Sequence, residues 1–190
     1  MASGGRTAVR TAAPAARARR AAPARTATRA PETAQGRPRR PKGARSRDEV
    51  GWVQAHGGAG TTSLVEALGG VDVGARWPEP AKGEPHRIVL VGRTSARGLR
   101  AVSWALGALN EGKAPRGLDL LAVVLVADAP GRLPLSLLRR IRVLRSVARV
   151  HRVPWIPAWR TGGHPKSPPR QLVRLAGLVG SERLSQGAGS

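Results

Sequence analysis

The chain contains no cysteine, no phenylalanine and no tyrosine. Without cysteine there is neither a disulfide framework nor a thiolate zinc site. Five tryptophans supply all of its large aromatic surface, and its aliphatic residues are almost all Leu, Val and Ala. No apolar run approaches the roughly 18 residues that a membrane-spanning helix requires. The N-terminus also lacks the apolar core of a signal peptide, so a cytoplasmic protein is expected. Acidic residues are scarce: 11 Asp and Glu face 33 Lys and Arg, a net charge of +22 at pH 7. Such a surface attracts nucleic acid, anionic lipid or an acidic partner in a salt-dependent way. An arginine-favouring codon bias would produce the same excess without any partner.

The charge and the apolar residues are distributed unevenly. Residues 1–49 carry thirteen Arg or Lys against three acids, a net +10, and Val9 is their only Val, Ile or Leu. A segment of that composition cannot bury enough surface to offset the entropy of ordering its backbone, and disorder is expected. Its densest cluster is Arg37, Arg39, Arg40, Lys42, Arg45 and Arg47, a loose electrostatic arm for nucleic acid or lipid, or a solvated tail with no partner. The expected organisation is a basic tail over 1–49, one α/β domain over 50–180 and a disordered C-terminal tail over 181–190.

Within the domain, residues 50–55 (VGWVQA) read as a short buried strand, and His56-Gly57-Gly58-Ala59-Gly60 as a glycine-rich turn. Thr61-Thr62-Ser63 then opens a helix carrying Leu64, Val65, Ala67 and Leu68, which Gly69-Gly70 ends. Residues 71–86 read as an irregular connection rich in Pro and Gly. Residues 87–91 (RIVLV) and 120–126 (LLAVVLV) have the continuous apolar character of strands buried on both faces. Between them Leu99, Val102, Leu106 and Leu109 recur at helical spacing. Leu137, Leu138, Ile141 and Leu144 mark the apolar side of a further helix. A last strand is expected over 149–153, and a closing helix over 170–178 follows Pro168-Pro169. The alternation βαβαβαβα predicts a small parallel sheet with helices on its faces. Ligands in such sheets sit beyond the carboxyl ends of the strands, here at residues 57–62, 93–95, Asp128 and 155–159.

Residues 56–63 (HGGAGTTS) resemble the deviant phosphate-binding loop of the ParA/MinD family, KGGxGKTT. The later strand-helix units RIVLVGRTSARGLRAVSWALGAL, LLAVVLVADAPGRLP and VHRVPWIP are similar in order, so the resemblance spans about residues 50–160. It implies a truncated P-loop NTPase-like fold, with ATP and Mg2+ as candidate cofactors. Gly57, Gly58, Ala59, Gly60, Thr61, Thr62 and Ser63 would cradle the phosphates, and Asp128 would stand at the position that contacts the base. It also implies a setting such as plasmid partitioning, conjugation or secretion, in which the protein acts through a protein partner. Three departures matter. Thr61 replaces the lysine that neutralises the β and γ phosphates; Thr61 hydrogen-bonds but brings no charge. His56 replaces the upstream signature lysine. The stretch before RIVLV is too short for the family's middle strands and their magnesium-holding aspartate, leaving Asp72, on a loop of uncertain course, as the one early candidate. A non-catalytic or weakly nucleotide-binding protein is therefore expected, with no catalytic residue and no metal ligand assigned. The plainer alternative is that GGAG only permits a tight strand-to-helix turn. A third reading is an active ATPase in which other cations, such as Arg93 and Arg97, stand in for the lysine.

Arg139, Arg142, Arg145 and Arg149 recur at three- and four-residue spacing and form a basic stripe. It would track a phosphate backbone or dock on an acidic partner, or else it is a solvated helix face. With the tail it supports an alternative function, sequence-independent nucleic-acid binding. Trp155 and Trp159 bracket Pro157 and read as core closure or as a stacking edge. The four histidines are scattered without metal-ligand spacing, and no nucleophile-base arrangement is visible.

Overall fold

The computed structural model describes residues 49–186. The basic tail expected over 1–49 lies outside the described residues, Glu49 excepted, as do residues 187–190. The described chain forms one sheet of five strands, β1 (Gly51–Gln54), β2 (Val71–Gly74), β3 (Arg87–Arg93), β4 (Asp119–Val126) and β5 (Val150–Val153). Their order is β2-β1-β3-β4-β5, and every neighbouring pair is parallel. Five helices accompany it: α1 (Thr61–Leu68), α2 (Ala96–Asn110), α3 (Leu135–Val147), α4 (Arg170–Val179) and α5 (Arg183–Gln186). The expected α/β class and parallel sheet are present.

The period-two alternation of the strands divides the core into two layers. Trp52, Val89, Val91, Val124 and Val126 face one side, where Leu64 and Leu68 of α1 and Leu172 and Leu175 of α4 cover them. Val53, Ile88, Leu90, Val123 and Leu125 face the other, under Leu99, Val102 and Leu106 of α2 and Ile141 and Leu144 of α3. The central strands are buried on both faces, which is why their sequences are continuously apolar. Fully buried Trp52 also fixes the end of α1, its Nε1–H donating to the Gly69 carbonyl at 2.7 Å.

Several expectations need correction. Residues 71–86 are not wholly irregular: Val71–Gly74 pairs with β1 as an edge strand, making five strands where four were read. A four-residue strand with an exposed aspartate and a glycine shows too little alternation to be recognised alone; pairing with β1 supplies its order. Leu138 is not on the buried side of α3 but 38% exposed; Leu137, Ile141 and Leu144 face the core. Arg183–Gln186 forms a helical turn where an unstructured tail was expected, and Leu184 packs against the core.

The two faces are covered unequally. The connection from β2 to β3 runs opposite the α1 face yet contains only a 3-10 turn, Pro80–Lys82. Pro78, Pro80 and Pro85 with Gly83 prevent a longer helix there. Trp77 from this connection packs, half-buried, against the second layer beside Val73, leaving that end of the sheet without a helix among the described residues.

Gly98 sets how closely α2 approaches β3. A Cβ at this position would lie 2.4 Å from the Arg93 carbonyl oxygen and 3.0 Å from its backbone nitrogen. Backbone atoms cannot yield as a flexible side chain would. Gly98→Ala is expected to destabilise the domain by about 1–3 kcal/mol, a fall in Tm of several degrees in a thermal melt.

Candidate functional site

The order 2-1-3-4-5 creates a topological switch point between β1 and β3, where ligands of open α/β sheets bind. From β1 the chain passes through α1 on one face; from β3 it passes through α2 on the other. The glycine-rich loop, residues 55–60, lies at this point.

His56 pins the loop to β3. The Arg93 backbone N–H donates to His56 Nε2 at 3.1 Å, so that nitrogen carries no proton. Nδ1 then holds the hydrogen and donates to the Gly57 carbonyl at 2.8 Å. His56 therefore acts here as a structural acceptor that ties the glycine-rich loop to the end of β3.

Arg93 crosses the same crevice. Its Nε–H donates to the Gly58 carbonyl at 2.9 Å and its Nη1 donates to the Ala127 carbonyl at 3.0 Å. One side chain thus joins the β1–α1 loop to the end of β4, and its positive charge lies beside the glycines. Arg97, the other arginine expected to substitute for the lysine, lines a different cavity on the α2 side.

Gly60 takes the left-handed conformation, φ 95°, as the residue before α1, and no side chain caps this helix. Its first N–H groups have no acceptor within the helix, so the helix end favours an anion. Thr61, the first residue of α1, is 1% exposed, and its hydroxyl has no hydrogen-bond partner. Exposed Thr62 reaches Asp72 of β2, hydroxyl to Oδ2 at 3.4 Å. Asp72 Oδ1 accepts the Gly74 N–H at 3.0 Å and lies 3.4 Å from Gln54 Nε2. The aspartate read as lying on a loop of uncertain course is thus anchored on a strand beside the second threonine. Ser63 lines a cavity of about 40 Å³ with Arg93, Trp155, Trp159 and Arg160. There the Arg160 guanidinium lies 5.5 Å from the centroid of the Trp155 ring, and buried Trp159 Nε1 is unpartnered.

Asp128 is exposed just beyond β4. Its backbone N–H donates to the buried Thr94 hydroxyl at 3.1 Å, which ties it to the edge carrying the loop. The arginine stripe lies elsewhere. Arg139, Arg142 and Arg145 are exposed along α3, and Arg149 precedes β5 at the opposite, amino edge of the sheet. Arg149 also helps to lower the pKa of His151, after the larger effect of burial. No group of three or more His, Asp or Glu among the described residues could hold a metal ion. No helix of the described residues is long and apolar enough to cross a membrane.

A cavity of about 610 Å³ opens from His56 and Gln54 along the uncovered part of the sheet. Trp77 and Trp104 line it with Arg97 and Arg100. Arg76 also borders it, its pKa raised mainly by a hydrogen bond from its guanidinium to Glu84. Sequence reasoning missed both tryptophans. The available signal was helical phase: Trp104 falls off the Leu99, Val102 and Leu106 stripe that α2 buries, and it is 77% exposed.

The fold and the loop define an open α/β protein with a glycine turn at its switch point. No family model, curated protein or solved structure matches the chain.

Replacing Arg93 by Met removes both side-chain bonds but keeps the aliphatic stem. The expected cost is about 1–3 kcal/mol, with faster amide exchange at residues 57–60 and little change within β4. Unchanged exchange at the loop would show that Arg93 does not hold it.

Proposed function

We propose that this protein is a non-catalytic or weakly nucleotide-binding relative of ParA/MinD-type P-loop proteins that acts by binding a protein partner. The observation that carries this reading is the state of the lysine position. Thr61 places a buried, unpartnered hydroxyl at the start of α1, and the nearest cation, Arg93, is bound to two carbonyls of the protein itself. The helix end and glycine loop favour a phosphate, but the guanidinium beside the loop already donates to the protein's own carbonyls instead of neutralising a transferring phosphoryl group. For ATP-Mg2+, the loop amides and Thr61 would hold phosphate oxygens, while Thr62 and Asp72 would hold the ion. The ion would supply charge neutralisation. One carboxylate and one hydroxyl suit an ion that keeps most of its ligands as water and phosphate. Asp128 would border the base. The setting of plasmid partitioning, conjugation or secretion rests on family analogy.

The full chain should be stabilised by ATP-Mg2+ without releasing phosphate. At about tenfold excess over Kd, binding to the folded state contributes ~1.4 kcal/mol, a Tm rise of a few degrees. Phosphate release above the uncatalysed background would replace this reading with an active ATPase using a non-standard loop. No shift with ATP, GTP or inorganic phosphate would reduce the loop to a turn.

A second reading, sequence-independent nucleic-acid binding, is favoured by one observation. Arg139, Arg142 and Arg145 are all exposed, with no acidic partner among the described residues. Duplex DNA affinity should then fall steeply with added salt, and absence of binding at low salt would remove this reading.

A further inference from the structure

The uncovered end of the sheet has the form of a missing layer. Doubly wound sheets carry helices on both faces, yet here the β2-to-β3 crossover supplies only Trp77 and a 3-10 turn. The resulting groove of about 610 Å³ has an apolar floor of Val53, Ala55, Leu90 and Ala105. Trp104 stands on its α2 side with 77% of its surface exposed, the largest exposure of any large hydrophobic residue described. Nothing in the domain's own packing accounts for a tryptophan so placed.

Charge identifies the occupant. Arg97 and Arg100 line the groove, are exposed, and pair with no acid among the described residues. Arg76 is already engaged by Glu84 through two contacts of 2.6 Å. A second copy of a chain of net charge +22 would be repelled, and a segment of the composition of residues 1–49, at a net +10, has the same sign of charge. The floor favours apolar side chains over a phosphate backbone, which needs a continuous basic track.

We infer that the groove receives an acidic amphipathic helix from a partner protein, seated in the slot that the crossover leaves vacant. Its apolar residues, at i, i+3, i+4 and i+7, lie on the floor between Trp77 and Trp104. Its flanking Asp or Glu side chains meet Arg97 and Arg100. Trp104 is the buried anchor of the complex. The inference rests on the reading that the protein acts through a partner, and it names that partner's chemistry; it does not depend on nucleotide binding at the loop.

The test is selection from a displayed library of helix-patterned peptides about 15 residues long, using the full chain as target. Apolar positions are fixed and polar positions varied. The expected result is enrichment of Asp- and Glu-rich sequences whose affinity for Trp104→Ala falls by about tenfold or more. The double variant Arg97→Glu/Arg100→Glu should select Lys-rich peptides instead. All three side chains are exposed, and circular dichroism of each variant verifies that the fold is kept. Absence of enrichment overturns the inference. Acidic peptides that bind the variants unchanged also overturn it, while leaving partner binding elsewhere on the chain intact. Oligothymidine or ATP binding that depends on Trp104 and displaces the peptides would assign the groove to nucleic acid or nucleotide. Phosphate release from ATP would instead count against the non-catalytic reading and leave the groove untouched.

Discussion

Arg93 is the residue on which the organisation of the carboxyl edge depends. Its backbone amide is held by the His56 ring, and its guanidinium is shared between the carbonyls of Gly58 and Ala127. Three separate segments, the β1–α1 loop, the last residue of β3 and the exit of β4, are joined there. The two guanidinium contacts are charge-assisted, so each is stronger than a bond between neutral groups. The same economy removes the cation from other use: a guanidinium donating to the protein's own carbonyls has fewer donors left for a phosphate. The engagement of Arg93 stabilises the glycine turn from within.

The second constraint is the short crossover between β2 and β3. Three prolines and a glycine in a dozen residues exclude a helix, so one layer of the sandwich is incomplete beside β1. Trp77 covers part of the gap and Trp104 borders it. Two of the exposed arginines in the groove, Arg97 and Arg100, belong to the first turns of α2, the helix that Gly98 allows to lie close on β3. The loop and the groove meet at His56, so one histidine borders an anion-favouring helix end and an apolar cleft together.

The extent to which the site could be read from the sequence varied by residue. The glycine loop, the first turn of α1 and Asp128 were placed at the carboxyl edge by the strand-turn-helix pattern, and they are found there. Arg93 was noticed for its charge and position, but its two carbonyl partners lie 35 and 34 residues away in the chain, beyond any local pattern. Asp72 looked like a loop residue because β2 has too few apolar positions to announce itself. Leu138 was assigned to the core by spacing alone. The helix face rotates 100° per residue, and only packing against the sheet decides which of two adjacent leucines turns inward.

What the sequence alone determined was the α/β class, the central strands and the position of the glycine-rich turn, because continuous apolar runs, helical periodicity and glycine spacing are local properties of the chain. The tertiary structure decided the strand order, the role of His56 as an acceptor for the Arg93 amide, the internal use of Arg93 and the vacant helix slot. Each of these depends on which distant segments become neighbours, and hydrogen bonding and burial across such contacts are fixed only when the sheet is assembled.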